Sequence, residues 1–184
     1  MINAVNFAAF QCGWFVCVLG AAHGHPYLGV AAVAVLVAAH VATAVRPRAE
    51  LALLGLAAGI GATWDGLLAA TGLLSYAPGA LVAGTAPLWI VALWVLFATT
   101  LNRSLAWLKP HLPLGAALGA IGGPLSYVGG ERLGAISSHH QATSLLAQGI
   151  GWAVLTPLLL RLAQRHDGCL RDLHGHSDVA ARHA

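Results

Sequence analysis

The stretch ELALLGLAAGIGATWDGLLAAT, residues 50–71, decides how this chain is read. Between Glu50 and Asp65 it carries no charge, and it is long enough to cross a hydrocarbon layer, which takes about 20 helical residues. A backbone in lipid finds no water to bond to, so a run of this kind is helical. Outward from it, five further apolar windows at 4–22, 26–45, 81–101, 112–133 and 142–162 predict five more spans. Turn and stop signals separate them: His23-Gly24-His25-Pro26, Arg46-Pro47-Arg48, Tyr76-Ala77-Pro78-Gly79, Lys109-Pro110 and Ser137-Ser138-His139-His140. The expected fold is all-α, a polytopic bundle of six transmembrane helices over residues 1–162.

Composition agrees. Of 184 residues 58% are hydrophobic and 8% charged, against about a quarter charged in soluble domains, which excludes a water-soluble globule. Residues 1–160 hold only Arg46, Arg48, Glu50, Asp65, Arg103, Lys109, Glu131 and Arg132 as charged groups. With the N-terminus inside, every Lys and Arg except Arg132 falls on the inner side, so the positive-inside rule predicts N-in and C-in. The net charge of +3 sits in short loops and a tail, a placement that suits membrane orientation and excludes a nucleic-acid groove. Residues 163–184 read as a polar, disordered cytoplasmic tail whose His166, His174, His176 and His183 lack the spacing of a closed metal site. The first apolar segment lacks a basic leader and is read as a retained helix. Cys12, Cys17 and Cys169 form no disulfide framework, and Cys12 and Cys17 turn away from a common face.

Asp65 is the most informative residue. It lies about 9 Å below the outer end of the third helix, where an ionised carboxylate is costly and should face the bundle interior, either fixing packing or serving chemistry. Gln148 falls at a matching depth on the sixth helix and could donate to it. Glu131 and Arg132 end the fifth helix on the same side, and the Arg132 fork suits a pairing with Asp65. Asp65, Glu131 and Arg132 are therefore the candidate catalytic groups, and Trp64, Tyr76, Tyr127 and Gln148 the candidate substrate-binding ones. The outer histidines His23, His25, His139 and His140 are weak metal candidates, because neither pair has the i, i+4 spacing of two ligands on one helix face. No motif implies a cofactor.

Gly115, Gly119 and Gly123 make a small-residue ridge on the fifth helix, and Gly55 and Gly59 one on the third, its expected partner; such faces also suit a homo-oligomer or a membrane partner. Pro124 should kink the fifth helix. Asn6 and Gln11 on the first helix suggest interhelical hydrogen bonds. Gly72–Gly79 echoes Gly123–Gly130 at an offset of 51, which suggests either duplicated hairpins or coincidence in a Leu/Gly-rich chain.

Several aromatic motifs in fixed register carry a family resemblance: Asn6-Phe7 to Gln11-Cys12-Gly13-Trp14-Phe15, Pro87-Leu88-Trp89-Ile90 to Leu93-Trp94-Val95-Leu96-Phe97, Ser104-Leu105-Ala106-Trp107-Leu108, and Gly123-Pro124-Leu125-Ser126-Tyr127 to Gly130 to Leu133-Gly134-Ala135. Over residues 1–162 the chain resembles DUF2878, a bacterial integral-membrane family catalogued only as a domain of unknown function. The resemblance implies a bacterial inner-membrane protein, leans towards lipid chemistry, and carries over no activity. Three readings follow: binding or modification of a lipid-phase molecule in an outward-facing polar pocket around Asp65, with membrane lipids as partners; a small proton-coupled carrier; or a structural subunit of a membrane complex. Against an enzyme, no HExxH, GxSxG or phosphate loop is present.

Overall fold

The computed structural model describes residues 2–82 and 84–169. It contains six helices and a small ribbon: α1 (Ile2–Ala22), α2 (Pro26–Ala42), α3 (Pro47–Ala70), β1 (Leu74–Tyr76), α4 (Leu88–Leu101), α5 (Leu112–Arg132), β2 (Ile136–Ser138) and α6 (Gln141–Arg165), with a 3-10 turn at Ala106–Leu108. Of these, α1, α3, α5 and α6 are long and apolar enough to cross a membrane by themselves, while α2 and α4 are shorter apolar helices. Leucines, valines and isoleucines on the outer faces stay exposed, among them Val35, Leu51, Leu67, Ile121, Leu146 and Val154. That surface suits lipid.

The expected helix at 81–101 is shortened to begin at Leu88. Gly79 and Gly84 take φ of 130° and 77°, and Pro87 is extended at ψ 154°, so the chain arrives through a glycine-proline loop. The third helix instead starts earlier, at Pro47, whose fixed φ suits a first helical turn. The sixth runs to Arg165, and residues 166–169 pack back on the bundle, so ordered structure extends beyond 162; residues 170–184 of the expected tail lie outside the described residues.

The helices alternate in direction. One end, here the basic end, gathers residue 2, the 42–47 turn, the 101–112 segment and residues 165–169. Asn6 donates to the Thr99 carbonyl and accepts from Ser104, Arg103 donates to the Thr43 carbonyl, and Arg46 to that of Asp167. At the opposite end the three ascending helices finish alike. Past α1, α3 and α5 stand Gly24, Gly72 and Gly134, with φ of 80°, 71° and 84°. In each the glycine N–H and the next N–H return to the helix, as Gly72 N to Ala69 O and Leu73 N to Leu68 O, the Schellman pattern that only a left-handed residue allows.

From two of these stops the chain enters strands, unforeseen in an all-helical reading. β1 and β2 pair antiparallel, with Leu74 opposite Ser138 and Tyr76 opposite Ile136. The equivalent succession is thus α3–Gly72–β1 and α5–Gly134–β2. The offset-51 echo compares a strand with the interior of α5, and is coincidental.

Small residues set the helix spacing, but not between the expected partners. On α5 a Cβ at Gly115, Gly119 or Gly123 would strike Leu160, Thr156 or Trp152 of α6, so the α5 ridge packs on α6 and not on α3. Gly55 and Gly59 face open space. Gly61 of α3 receives the ring of Trp94, and Gly151 of α6 the ring of Trp64. Pro124, which leaves the Ala120 carbonyl without its helical donor, sits beside Gly149 of α6, towards which that oxygen points.

Candidate functional site

Asp65 is fully enclosed, at 0% exposure, and three elements close around its carboxylate. The Tyr76 hydroxyl, from β1, and the Tyr127 hydroxyl, from α5, both donate to Oδ1 at 2.6 Å. The Trp94 indole N–H, from α4, donates to Oδ2 at 2.6 Å. Hydrogen bonds to a charged acceptor are short and strong, and here all three donors are amphipathic aromatics that bring apolar bodies with them. The ribbon places Tyr76: its register fixes the strand that carries it, and Trp89 packs edge-on to its ring. Burial first, then the Asp65 carboxylate, pushes the Tyr76 phenol well above its ordinary value, so it remains a proton donor.

Trp94 and Tyr127 have a second face. Both line a cavity of about 480 Å³ enclosed by α1, α4, α5 and α6. Its wall is aromatic and apolar: Trp94 stacks on Trp152 with ring centroids 4.5 Å apart and planes 11° from parallel, and Phe97 meets Trp152 edge-on. Polar groups are few, namely Gln11, Ser126, Tyr127 and Thr156. Thr156 Oγ1 is buried without a hydrogen-bond partner among the described residues, and the Trp152 indole N–H is turned towards the Tyr127 hydroxyl. Helices α1 and α5 flank the cavity and barely touch, although the Trp14 ring reaches across to Gly129. Phe7, Phe15, Leu118 and Leu125 line it and are at the same time exposed on the bundle's outer face. It therefore opens sideways, between α1 and α5.

The sequence-derived candidates distribute as follows. Asp65, Tyr76 and Tyr127 are brought together. Gln148 is buried at 1% but is not among the partners of Asp65. With Tyr127, Glu131 and Ser144 it borders a small cavity of about 10 Å³, the size of one water, beside which Gln148 Oε1 and Ser138 Oγ have no partner among the described residues. Glu131 is half-buried and accepts from the Ser138 N–H, bracing β2. Arg132 is exposed and does not reach Asp65, whose oxygens are already filled by neutral donors. Trp64 turns to Gly151 on α6 and does not line the large cavity. The pocket beside Asp65 is thus an apolar chamber with aromatic walls, separated from the carboxylate by Trp94 and Tyr127, and not a polar pocket opening outward. Among the outer histidines, His23 Nδ1–H donates to the Leu19 carbonyl of its own helix and His139 meets Ser75 Oγ at 2.9 Å. The four do not form a ligand group among the described residues.

Sequence reasoning missed a second polar cluster, at the basic end. Glu50 is 0% exposed. Its Oε2 lies 2.8 Å from His40 Nε2, and its Oε1 accepts from Asn102 Nδ2 at 2.7 Å and from the Gly168 N–H at 2.8 Å. Lys109 pairs with Asp167, and Gln164 donates to the Lys109 carbonyl. Cys169 lies alongside; burial, then the Glu50 carboxylate, pushes its thiol up to about 12. The available signal was positional, since His40 and Glu50 stand one turn from either side of a tight interhelical turn.

No curated protein and no solved structure matches the chain. The motifs of α1, α4 and α5 that build the aromatic cavity fall inside a family match covering residues 3–158. The chain belongs to the family described as Protein of unknown function (DUF2878).

Proposed function

We propose that this protein is a bacterial inner-membrane protein, N-in and C-in, that binds a lipid-phase small molecule in the cavity between α1 and α5. The observation that carries this reading is the cavity itself. It is about 480 Å³, within the range of about 300–1,000 Å³ typical of small-molecule sites, and it pairs apolar aromatic walls with a few polar groups. Its mouth lies among exposed apolar side chains of α1 and α5, where a guest would arrive from the bilayer. Gln11 and Ser126 put polar side chains on the wall of an otherwise apolar chamber, which suits an apolar guest with one polar group. Tyr127 touches the chamber on one side and Asp65 on the other, so Asp65 acts as a positioning residue, orienting the phenol that would meet the guest.

Gly122 supplies the test. It lines the cavity and has open space where a Cβ would stand, so Gly122→Leu fills the chamber without striking the backbone. Wild type and Gly122→Leu are extracted with their surrounding lipid in native polymer discs, and co-purified small molecules are compared by mass spectrometry. The expected result is a discrete species retained by wild type and lost from the variant. Identical profiles overturn the reading.

A further inference from the structure

Three donors of different chemistry converge at the basic end, away from the aromatic cavity. His40 stands in the last turn of α2, Glu50 in the first turn of α3, and Cys169 four residues beyond α6. One ligand atom from each, a ring nitrogen, a carboxylate oxygen and Sγ, lie within 4.8 Å of one another. His40 is 8% exposed and Glu50 is fully buried. We propose that His40, Glu50 and Cys169 hold a divalent ion of the zinc type, with a fourth coordination position left open.

The donor set selects the metal class. Calcium and magnesium take oxygen ligands, whereas nitrogen, sulfur and a single carboxylate suit zinc and its transition-metal neighbours. Tetrahedral zinc bonds of about 2.0–2.3 Å put neighbouring ligand atoms a little over 3 Å apart. The His40 and Glu50 atoms already stand 2.8 Å apart, so only a small separation admits an ion.

The surroundings are those of a prepared ligand. Glu50 Oε1 is held by Asn102 Nδ2 and by the Gly168 N–H, which leaves Oε2 aimed at His40; such outer hydrogen bonds orient metal-binding carboxylates. Asn102 is 5% exposed, and its own Oδ1 is buried beside the cluster without a partner among the described residues. Gly168 lets the chain reach this point: a Cβ there would press on the Arg46 carbonyl oxygen and on the Glu50 side chain. Cys169 converges on the same carboxylate, its thiol within hydrogen-bonding reach of Glu50. The high affinity of Cys169 for its proton is no obstacle, because a coordinating ion displaces that proton outright.

Cobalt reports on the site, since a cysteine thiolate bound to Co²⁺ gives a charge-transfer absorption that histidines do not. Full-length protein, purified in detergent without a histidine tag, is titrated with Co²⁺ and then with Zn²⁺ in competition. The expected outcome is a thiolate-to-cobalt band that saturates at about one ion per chain, is bleached by Zn²⁺, and survives Cys12→Ser. It is abolished by Cys169→Ser, which lies outside the helices and leaves the fold intact by circular dichroism. Asn102→Ala weakens binding by about 10-fold or more, as loss of an outer partner does. A wild-type protein with no band, or a band that persists in Cys169→Ser, overturns the proposal. Neither result bears on the cavity.

Discussion

Replacing Asp65 by Asn exchanges a group with two acceptor oxygens for one with a single acceptor and an amide donor. In the native protein Tyr76 and Tyr127 donate to Oδ1 and Trp94 to Oδ2, each at 2.6 Å. The indole N–H can only donate, so the remaining oxygen must turn to Trp94, and the amide then faces the two phenols. Their oxygens accept from it, but both O–H protons lose their acceptor. Each unsatisfied buried donor costs about 1–3 kcal/mol, a gross loss of about 2–6 kcal/mol, and relief from burying a charged group offsets part of it. The sharper quantity is a coupling. In a Tyr76→Phe background one of the two orphaned protons no longer exists, so Asp65→Asn should cost about 1–3 kcal/mol less there than in wild type. Reversible unfolding in mixed detergent micelles, followed by tryptophan fluorescence, gives all four corners of the cycle. Additive losses, agreeing within about 0.5 kcal/mol, would refute the arrangement of donors around Asp65.

Two neighbouring glycines of α5 should respond to the same substitution with opposite signs. Gly119→Ala forces a methyl against the Trp152 backbone oxygen and Thr156, which should destabilise by about 1–3 kcal/mol; Gly122→Ala enters open space and should stabilise by up to about 1 kcal/mol through helix propensity. Thermal unfolding of both in one detergent checks this, and shifts of the same sign would contradict the packing of α5 on α6. For orientation, reporters fused after Pro47 and Pro110 should signal cytoplasm and those near Pro78 and His139 periplasm. A reversed pattern would invert the proposed siding.

The number and rough limits of the helices were legible because apolar windows and Pro/Gly punctuation are local signals. The start of α4 was not, since the sequence over 81–87 is apolar enough to pass as helix, whereas Gly84 at positive φ and the extended Pro87 keep the helix from starting before Leu88. Depth along a helix was readable, and it singled out Asp65 and Gln148 at similar levels. Azimuth was not. Nothing local shows that Tyr127 of α5 turns to Asp65 whereas Arg132, barely more than a turn further on, turns outward. Tyr76 reaches the same carboxylate only because two short strands pair across 62 residues of chain. The glycine ridge on α5 was visible, but its partner depends on which helices lie adjacent, a tertiary fact. His40 vanished into an apolar window, and its meeting with Glu50, Asn102 and the segment past α6 joins four separate parts of the chain.

The sideways mouth between α1 and α5 sets the concentration scale on which any guest is felt. A molecule that reaches the chamber from the bilayer is governed by its mole fraction among the lipids, not by its amount per volume of water. Diluting the buffer at a fixed protein-to-lipid ratio would leave occupancy unchanged, whereas adding empty vesicles would drain the chamber. Under the proposed reading, occupancy of the chamber samples the composition of the surrounding membrane.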